Sequence, residues 1–149
     1  MQAFKENRII HDHLLNQARE NDVNIYFYKR AQLLVSDILH VRKLLENVNV
    51  DYSNLLGCAD YKIPQVMRCL GMLEFNEILI SKVDSLTEIP YGDEMEVEIR
   101  ANNLVVIDYI YNKLNGKVSR MDINDYIWLL GQDKSKMVKP YHRTKTIYY

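Results

Sequence analysis

The segment 93–114 constrains this chain more than any other. Asp93 reads as a helix N-cap and Asn115-Gly116 as the stop. Between them Val97, Ala101, Leu104, Val105, Ile107, Tyr111 and Leu114 spread around much of the helical circumference. A helix apolar on so many sides needs neighbours on several of them, which predicts a central helix wrapped by others. Glu96 and Arg100 stand four apart on its first turns, a spacing that allows an ion pair worth only a few tenths of a kcal/mol on an exposed face.

The flanking segments supply further helices. In 4–20, Ile10, Leu14 and Ala18 recur every four residues, Ile9 and Leu15 widen the stripe, and Asn21-Asp22 ends it. A second helix is expected over 27–46, with Ala31, Leu34, Ile38, Val41 and Leu45 on one side and Leu33 and Leu44 beside them. Asp37 falls inside that apolar arc with Arg30 nearly in line. A carboxylate there either pairs with Arg30 or Lys29, because burying it alone is costly, or belongs to a site. Pro64 suits the first position of a helix that stops at Gly71, and Ile63 before it is steered out of the helical region. A short helix over 76–83 would bury Ile78, Leu79 and Val83 before the loop Leu86-Thr87-Glu88-Ile89-Pro90-Tyr91-Gly92. Asp122 can cap a last helix through Leu130, stopped by Gly131 and carrying Asp125 and Trp128. The pattern predicts an all-α fold in a single domain, 1–149.

With 149 residues such a chain can bury a real core. Its net charge of −1 gives no bulk attraction to nucleic acid or to an anionic membrane. No apolar run approaches the roughly 20 residues of a membrane span, and Met1-Gln2-Ala3-Phe4-Lys5-Glu6-Asn7 is too polar for a secretory signal, so a cytoplasmic protein is expected. Cys58 and Cys69 form no CxxC pair and read as reduced thiols. The histidines, His11, His13, His40 and His142, have no zinc spacing, and residues two apart face different sides of a helix, so neither a metal nor another cofactor is expected. P-loop, GxGxxG and serine-elbow motifs are missing.

The chemistry is expected around Gly57-Cys58-Ala59-Asp60-Tyr61-Lys62-Ile63-Pro64-Gln65, where an acid and a phenol precede a proline-bearing helix. Asp60 has two readings: a cap, or a carboxylate held near a helix N-terminus as a base or cation stabiliser. The basic, aromatic tail Lys139-Pro140-Tyr141-His142-Arg143-Thr144-Lys145-Thr146-Ile147-Tyr148-Tyr149 has an extended pattern. It is either solvated or docked, and a docked tail would bring His142 and Arg143 to an anionic group.

Five blocks carry a resemblance. Tyr26-Phe27-Tyr28-Lys29-Arg30-Ala31-Gln32 with Ser36-Asp37, then Ala59-Asp60-Tyr61-Lys62-Ile63-Pro64-Gln65, Glu96-Val97-Glu98-Ile99-Arg100-Ala101, Asp125-Tyr126-Ile127-Trp128 and Tyr141-His142-Arg143-Thr144 together resemble the queuosine salvage family, the queuosine 5'-phosphate N-glycosylase/hydrolases. The resemblance runs from about residue 25 to the end of the chain and matches the C-terminal part of a usual, longer family member. Cys58 departs from it, standing where the family has phenylalanine before Ala-Asp-Tyr. The resemblance implies a helical fold like that of DNA glycosylases, with an extended C-terminal tail. It also implies hydrolysis of queuosine 5'-phosphate to queuine and ribose 5-phosphate, in salvage for tRNA modification. Asp60 would be the catalytic carboxylate. Asp37 would hold polar groups of the substrate, Lys29 would face the phosphate or Asp60, Tyr61 and Trp128 would wall the base, and Asp125 would accept its amino hydrogens. Arg100, His142 and Arg143 carry weaker claims, as structural groups. The implied partner is a small nucleotide with no direct nucleic-acid contact. The competing expectation is a non-catalytic or incomplete helical subunit, marked by an exposed apolar face, that needs a partner chain supplying the missing half. Helical placement further predicts that Asp37, Asp60 and Tyr61 converge on one pocket with Lys29 at its edge.

Overall fold

A computed structural model describes residues 25–149, which form five α-helices: α1 Lys29–Glu46, α2 Lys62–Cys69, α3 Glu77–Asp84, α4 Glu94–Lys113 and α5 Arg120–Leu130. The expected helix over 4–20, with His11 and His13, lies outside the described residues. Among the described residues there is no β-sheet, only an isolated parallel bridge between Glu88 and Arg143, and no helix is long and apolar enough to cross a membrane. The architecture is all-α.

Local capping chemistry sets the helix ends. Asp93 accepts the Met95 N–H at 2.9 Å and Asn76 accepts that of Leu79 at 2.9 Å, each satisfying an orphan donor of the first turn. The last helix begins earlier than Asp122. Ser119 is its N-cap, and Asp122 reaches back to the Ser119 N–H as the second half of a capping box. Helix α2 starts two residues before Pro64 and includes Ile63, whose full burial outweighs the steric preference against helical geometry before proline. It ends as expected at left-handed Gly71 (φ 71°), where Gly71 N–H meets the Arg68 carbonyl and Met72 N–H that of Met67, the paired bonds of a Schellman motif.

Helices α2, α4 and α5 pack on one another through Ile63, Val66, Met67, Ile107, Ile123 and Ile127. A second group, Leu79, Val83, Ile89 and Ile99, seats α3 and the 86–92 loop on the other end of α4. Ile78 points outward, contrary to expectation. Nor is α4 buried all round. Its buried residues are Glu96, Ile99, Arg100, Asn103 and Ile107, one helical stripe that is largely polar, while Val105 and Leu114 are exposed. Apolar periodicity failed here because polar residues occupy the packed face.

Helix α1 departs further. Only Ser36 on it is buried, Leu39 packs beside Leu55, Cys58 and Met121, and Leu34, Ile38, Val41, Leu44 and Leu45 are all exposed, the last two by about four-fifths. The tail is docked. Gln65 donates to the Lys139 carbonyl at 2.7 Å, Ile89 N–H to that of Arg143 at 2.8 Å, and Arg30 to that of Ile147 at 3.4 Å.

The entry to the Cys58-Ala59-Asp60 segment rests on Gly57, whose φ of 104° suits glycine and whose position leaves a built Cβ only 3.0 Å from Ile107 Cδ1. Gly57→Ala is expected to lower unfolding stability by about 1–3 kcal/mol through backbone strain and crowding together. Denaturant titration of the two proteins measures it.

Candidate active site

The stretch after Gly57 has little regular structure of its own and is held by side chains from its neighbours. Cys58 N–H donates to Asn124 Oδ1 on α5 at 2.8 Å. The Cys58 carbonyl receives Asn103 Nδ2 from α4 at 2.8 Å, and the Ala59 carbonyl receives Arg100 Nε at 3.0 Å. Three backbone groups of Cys58 and Ala59 thus find partners away from water, as buried backbone must. Asp60 leaves this clamp with its orientation fixed.

The Asp60 carboxylate lies at the N-terminus of α2, just before its N-cap Tyr61. One carboxylate oxygen accepts the Lys62 N–H at 2.5 Å, at the start of α2. The other lies 3.4 Å from Lys29 Nζ, and both side chains are largely buried. Lys29 gets there because Gln32, one turn along α1, accepts the Leu56 N–H at 2.7 Å and donates to the Phe27 carbonyl at 3.1 Å, tying the start of α1 to the loop. The alternative pairing of Asp37 with Lys29 or Arg30 does not form. Lys29 faces Asp60 and Arg30 reaches the tail, while Asp37 is exposed because its helix face is, so it needs no buried partner.

Tyr61 is half-buried. Its ring lies 4.9 Å from that of Tyr141 and 6.0 Å from that of Tyr149. Burial, then the nearby Asp60 charge, then Tyr141 raise its phenol above the ordinary range, so it remains a hydrogen-bond donor. An open cavity of about 570 Å³ lies beside it, walled by Tyr61, Glu88 and the tail and not by Asp60 or Lys29. Cys58 is pushed up to about 11 by burial; Lys29 opposes that shift, and Asp125, Asp60 and Asp37 reinforce it. The thiol is therefore protonated and inert. Asp125 is half-buried and accepts a hydrogen bond from Asn124 at 3.0 Å. Trp128, one turn further on α5, is 43% exposed.

A second polar cluster backs the clamp. Arg100 is buried between the rings of Phe27 (4.4 Å) and Tyr149 (4.7 Å) and donates to Glu96 at 3.1 Å. Glu96 is itself buried, so the pair that the four-residue spacing allows does form, and it is a desolvated one. Tyr149 donates to the same Glu96 oxygen at 2.7 Å and lies 2.7 Å from His142 Nε2. The tail thus takes His142 inward to Arg100 and Tyr149, and Arg143 stays exposed with its carbonyl in the bridge. Sequence reasoning overlooked Gln32, Asn103, Asn124 and Tyr149. For Asn103 the signal was its place on the helical stripe of Ile99 and Ile107, where a polar residue is costly unless bonded.

Comparison with known proteins adds three findings. The family model described as "Queuosine salvage protein" matches residues 11–149. A queuosine 5'-phosphate N-glycosylase/hydrolase of Sphaerobacter thermophilus is 36% identical over 129 residues, spanning 84% of this chain and 40% of the relative. Proteins of the same description from Dictyostelium discoideum and Mus musculus are each 33% identical, over 84% and 90% of this chain and 40% and 44% of their own lengths. The chain thus spans about two-fifths of the length of the curated relatives it matches.

His142 gives the site a pH signature. Burial, then the Arg100 charge, lower it from 6.5 to about 4, so the fold keeps it neutral. Between those values the unfolded chain binds the extra proton, so the stability contributed by neutral His142 is present above 6.5 and lost as pH falls towards 4. This group alone is expected to cost about 2 kcal/mol between pH 7 and pH 5. Urea unfolding at both pH values should show a smaller loss for His142→Gln.

Proposed function

The chain belongs to the queuosine salvage protein family, and on that premise we propose that it hydrolyses the N-glycosidic bond of queuosine 5'-phosphate, with Asp60 as the catalytic carboxylate. The observation that carries the reading is the buried Asp60 carboxylate, fixed by the Lys62 N–H and the clamped Cys58-Ala59 backbone and facing Lys29 at 3.4 Å. Queuine is a 7-deazaguanine and lacks the N7 whose protonation helps an ordinary purine leave. Weight therefore shifts to the sugar. As the C1'–N bond breaks, its electron pair goes to the base, which takes up a proton from solvent, and the ribose becomes cationic. A carboxylate already oriented towards that carbon stabilises the cation and accepts a proton from the attacking water, leaving ribose 5-phosphate. Preorganisation matters because the group need not reorient as charge develops.

In this reading Lys29 exchanges its contact with Asp60 for the substrate phosphate. Tyr61 and Trp128 wall the base, Asp125 accepts its amino hydrogens and Asp37 holds polar groups of the substrate. Arg100, His142 and Arg143 act behind the site as structural groups. The reading takes the reaction to be cytoplasmic, in keeping with two free thiols, and to serve queuine salvage for tRNA modification on a single helical domain resembling DNA glycosylases. It requires no metal or other cofactor.

A second reading is favoured by the exposed apolar face of α1. Leu34, Ile38, Val41, Leu44 and Leu45 together form a surface of the kind that partners cover. Here the chain is an incomplete helical subunit that acts only when another chain supplies the remainder of the family's length. Supplementing this chain with the preceding part of a relative and measuring queuine release separates the two: release by the chain alone removes the second reading.

Two substitutions test the chemistry in whichever form turns over. Asp60→Asn keeps the volume and is expected to slow single-turnover queuine release, read by mass, about 100- to 1000-fold while thermal unfolding shows a folded protein. Near-normal release would return Asp60 to the role of a cap. Lys29→Ala is expected to narrow the preference for the monophosphate over the nucleoside by about 1.5–3 kcal/mol, the usual range for a lost charged contact. An unchanged ratio of kcat/KM values removes Lys29 from phosphate recognition.

A further inference from the structure

The docked tail does more than cover α4. Its Tyr149 hydroxyl stands at the start of a continuous relay. It donates to Glu96 Oε1 at 2.7 Å, and the same oxygen receives Arg100 Nη1 at 3.1 Å. Arg100 Nε in turn holds the Ala59 carbonyl at 3.0 Å, one residue before Asp60. Glu96 has its second oxygen on the Gly92 N–H at 3.3 Å, so the carboxylate cannot swing without giving up a partner. The Tyr149 ring completes the enclosure, lying over the guanidinium at 4.7 Å and edge-on to Tyr61 at 6.0 Å.

We infer that Tyr149 is a positioning residue: through Glu96 and Arg100 its hydroxyl fixes the Ala59 peptide and so aims the Asp60 carboxylate. The assignment of Asp60 to catalysis rests on the proposed function, whereas the mechanical coupling does not. Without the hydroxyl, Glu96 keeps one fewer donor on Oε1 and Arg100 gains freedom to follow it. The Ala59 carbonyl then loses a fixed partner in a buried place, where small displacements of a reacting group carry large rate penalties. A residue that served stability alone would lower the melting temperature and leave Asp60 where it is.

The test is Tyr149→Phe, which preserves the ring over Arg100 and against Tyr61 and removes only the hydroxyl, so the fold persists and a thermal melt verifies it. In the full chain, isotope-labelled for NMR, the Ala59 carbonyl carbon and the Asp60 amide are expected to shift. The amides of Val66 and Met67 in the apolar core are expected to stay in place. In the form that releases queuine, kcat is expected to fall about tenfold with KM within about twofold, because phenylalanine keeps the ring that lines the cavity beside Tyr61 while the orientation of the carboxylate is relaxed. Unmoved Ala59 and Asp60 signals overturn the inference, as does a kcat equal to that of the unmodified chain. If no form of the protein releases queuine, the proposed function fails, and the NMR shifts still decide whether Tyr149 positions Asp60.

Discussion

The buried ion pair between Arg100 and Glu96 is the interaction on which the rest depends. Neither charge has water to turn to, so each must be satisfied by the protein, and every partner it takes fixes another piece of chain. Arg100 takes the Ala59 carbonyl and the faces of Phe27 and Tyr149; Glu96 takes the Gly92 N–H and the Tyr149 hydroxyl. Through these contacts one turn of α4 joins the segment before α1, the loop that carries Asp60, the loop before α4 and the tail. Removing either partner would strand a charge in a dry place, at a typical cost of about 3–5 kcal/mol.

Asp60 is consequently held asymmetrically. Its backbone side is anchored by Arg100, Asn103 and Asn124 on two helices that belong to the main core. Its outward side meets Lys29 on α1, a helix with a single buried residue. Rigidity behind the carboxylate and adjustability in front of it suit the role proposed for Asp60, which must keep its aim while Lys29 changes partners. The low burial of α1 gives that adjustability physical content, since elements with few buried apolar contacts open at lower free energy than core helices.

The same asymmetry explains the two surfaces of α1. Gln32, Ser36 and Leu39 face the loop and α5, and there the helix carries out its local task of presenting Lys29. The opposite face presents five large aliphatic side chains to solvent. An arc of that size is built by the same periodicity that builds a core, which is why sequence alone reads it as buried. In the described residues nothing packs over it.

Local chemistry made much of this protein legible before any tertiary contact was known. The cap at Asp93 and the stop at Gly71 act within one helical turn, so helix ends could be placed to within a residue or two, and the motifs around Lys29, Asp60 and Tyr61 led to the family. What only the tertiary structure decided was which faces are buried and which charges meet. Helix α4 turns Glu96, Arg100 and Asn103 inward while α1 turns Leu34 and Ile38 outward, and Lys29 chooses Asp60 over Asp37 on its own helix. The tail, too, gives no local sign that Tyr149 would reach Glu96. The reason is range: a cap depends on a few neighbouring dihedrals, whereas burial and ion pairing depend on chain segments far apart in sequence, whose approach is set by the packing of the whole.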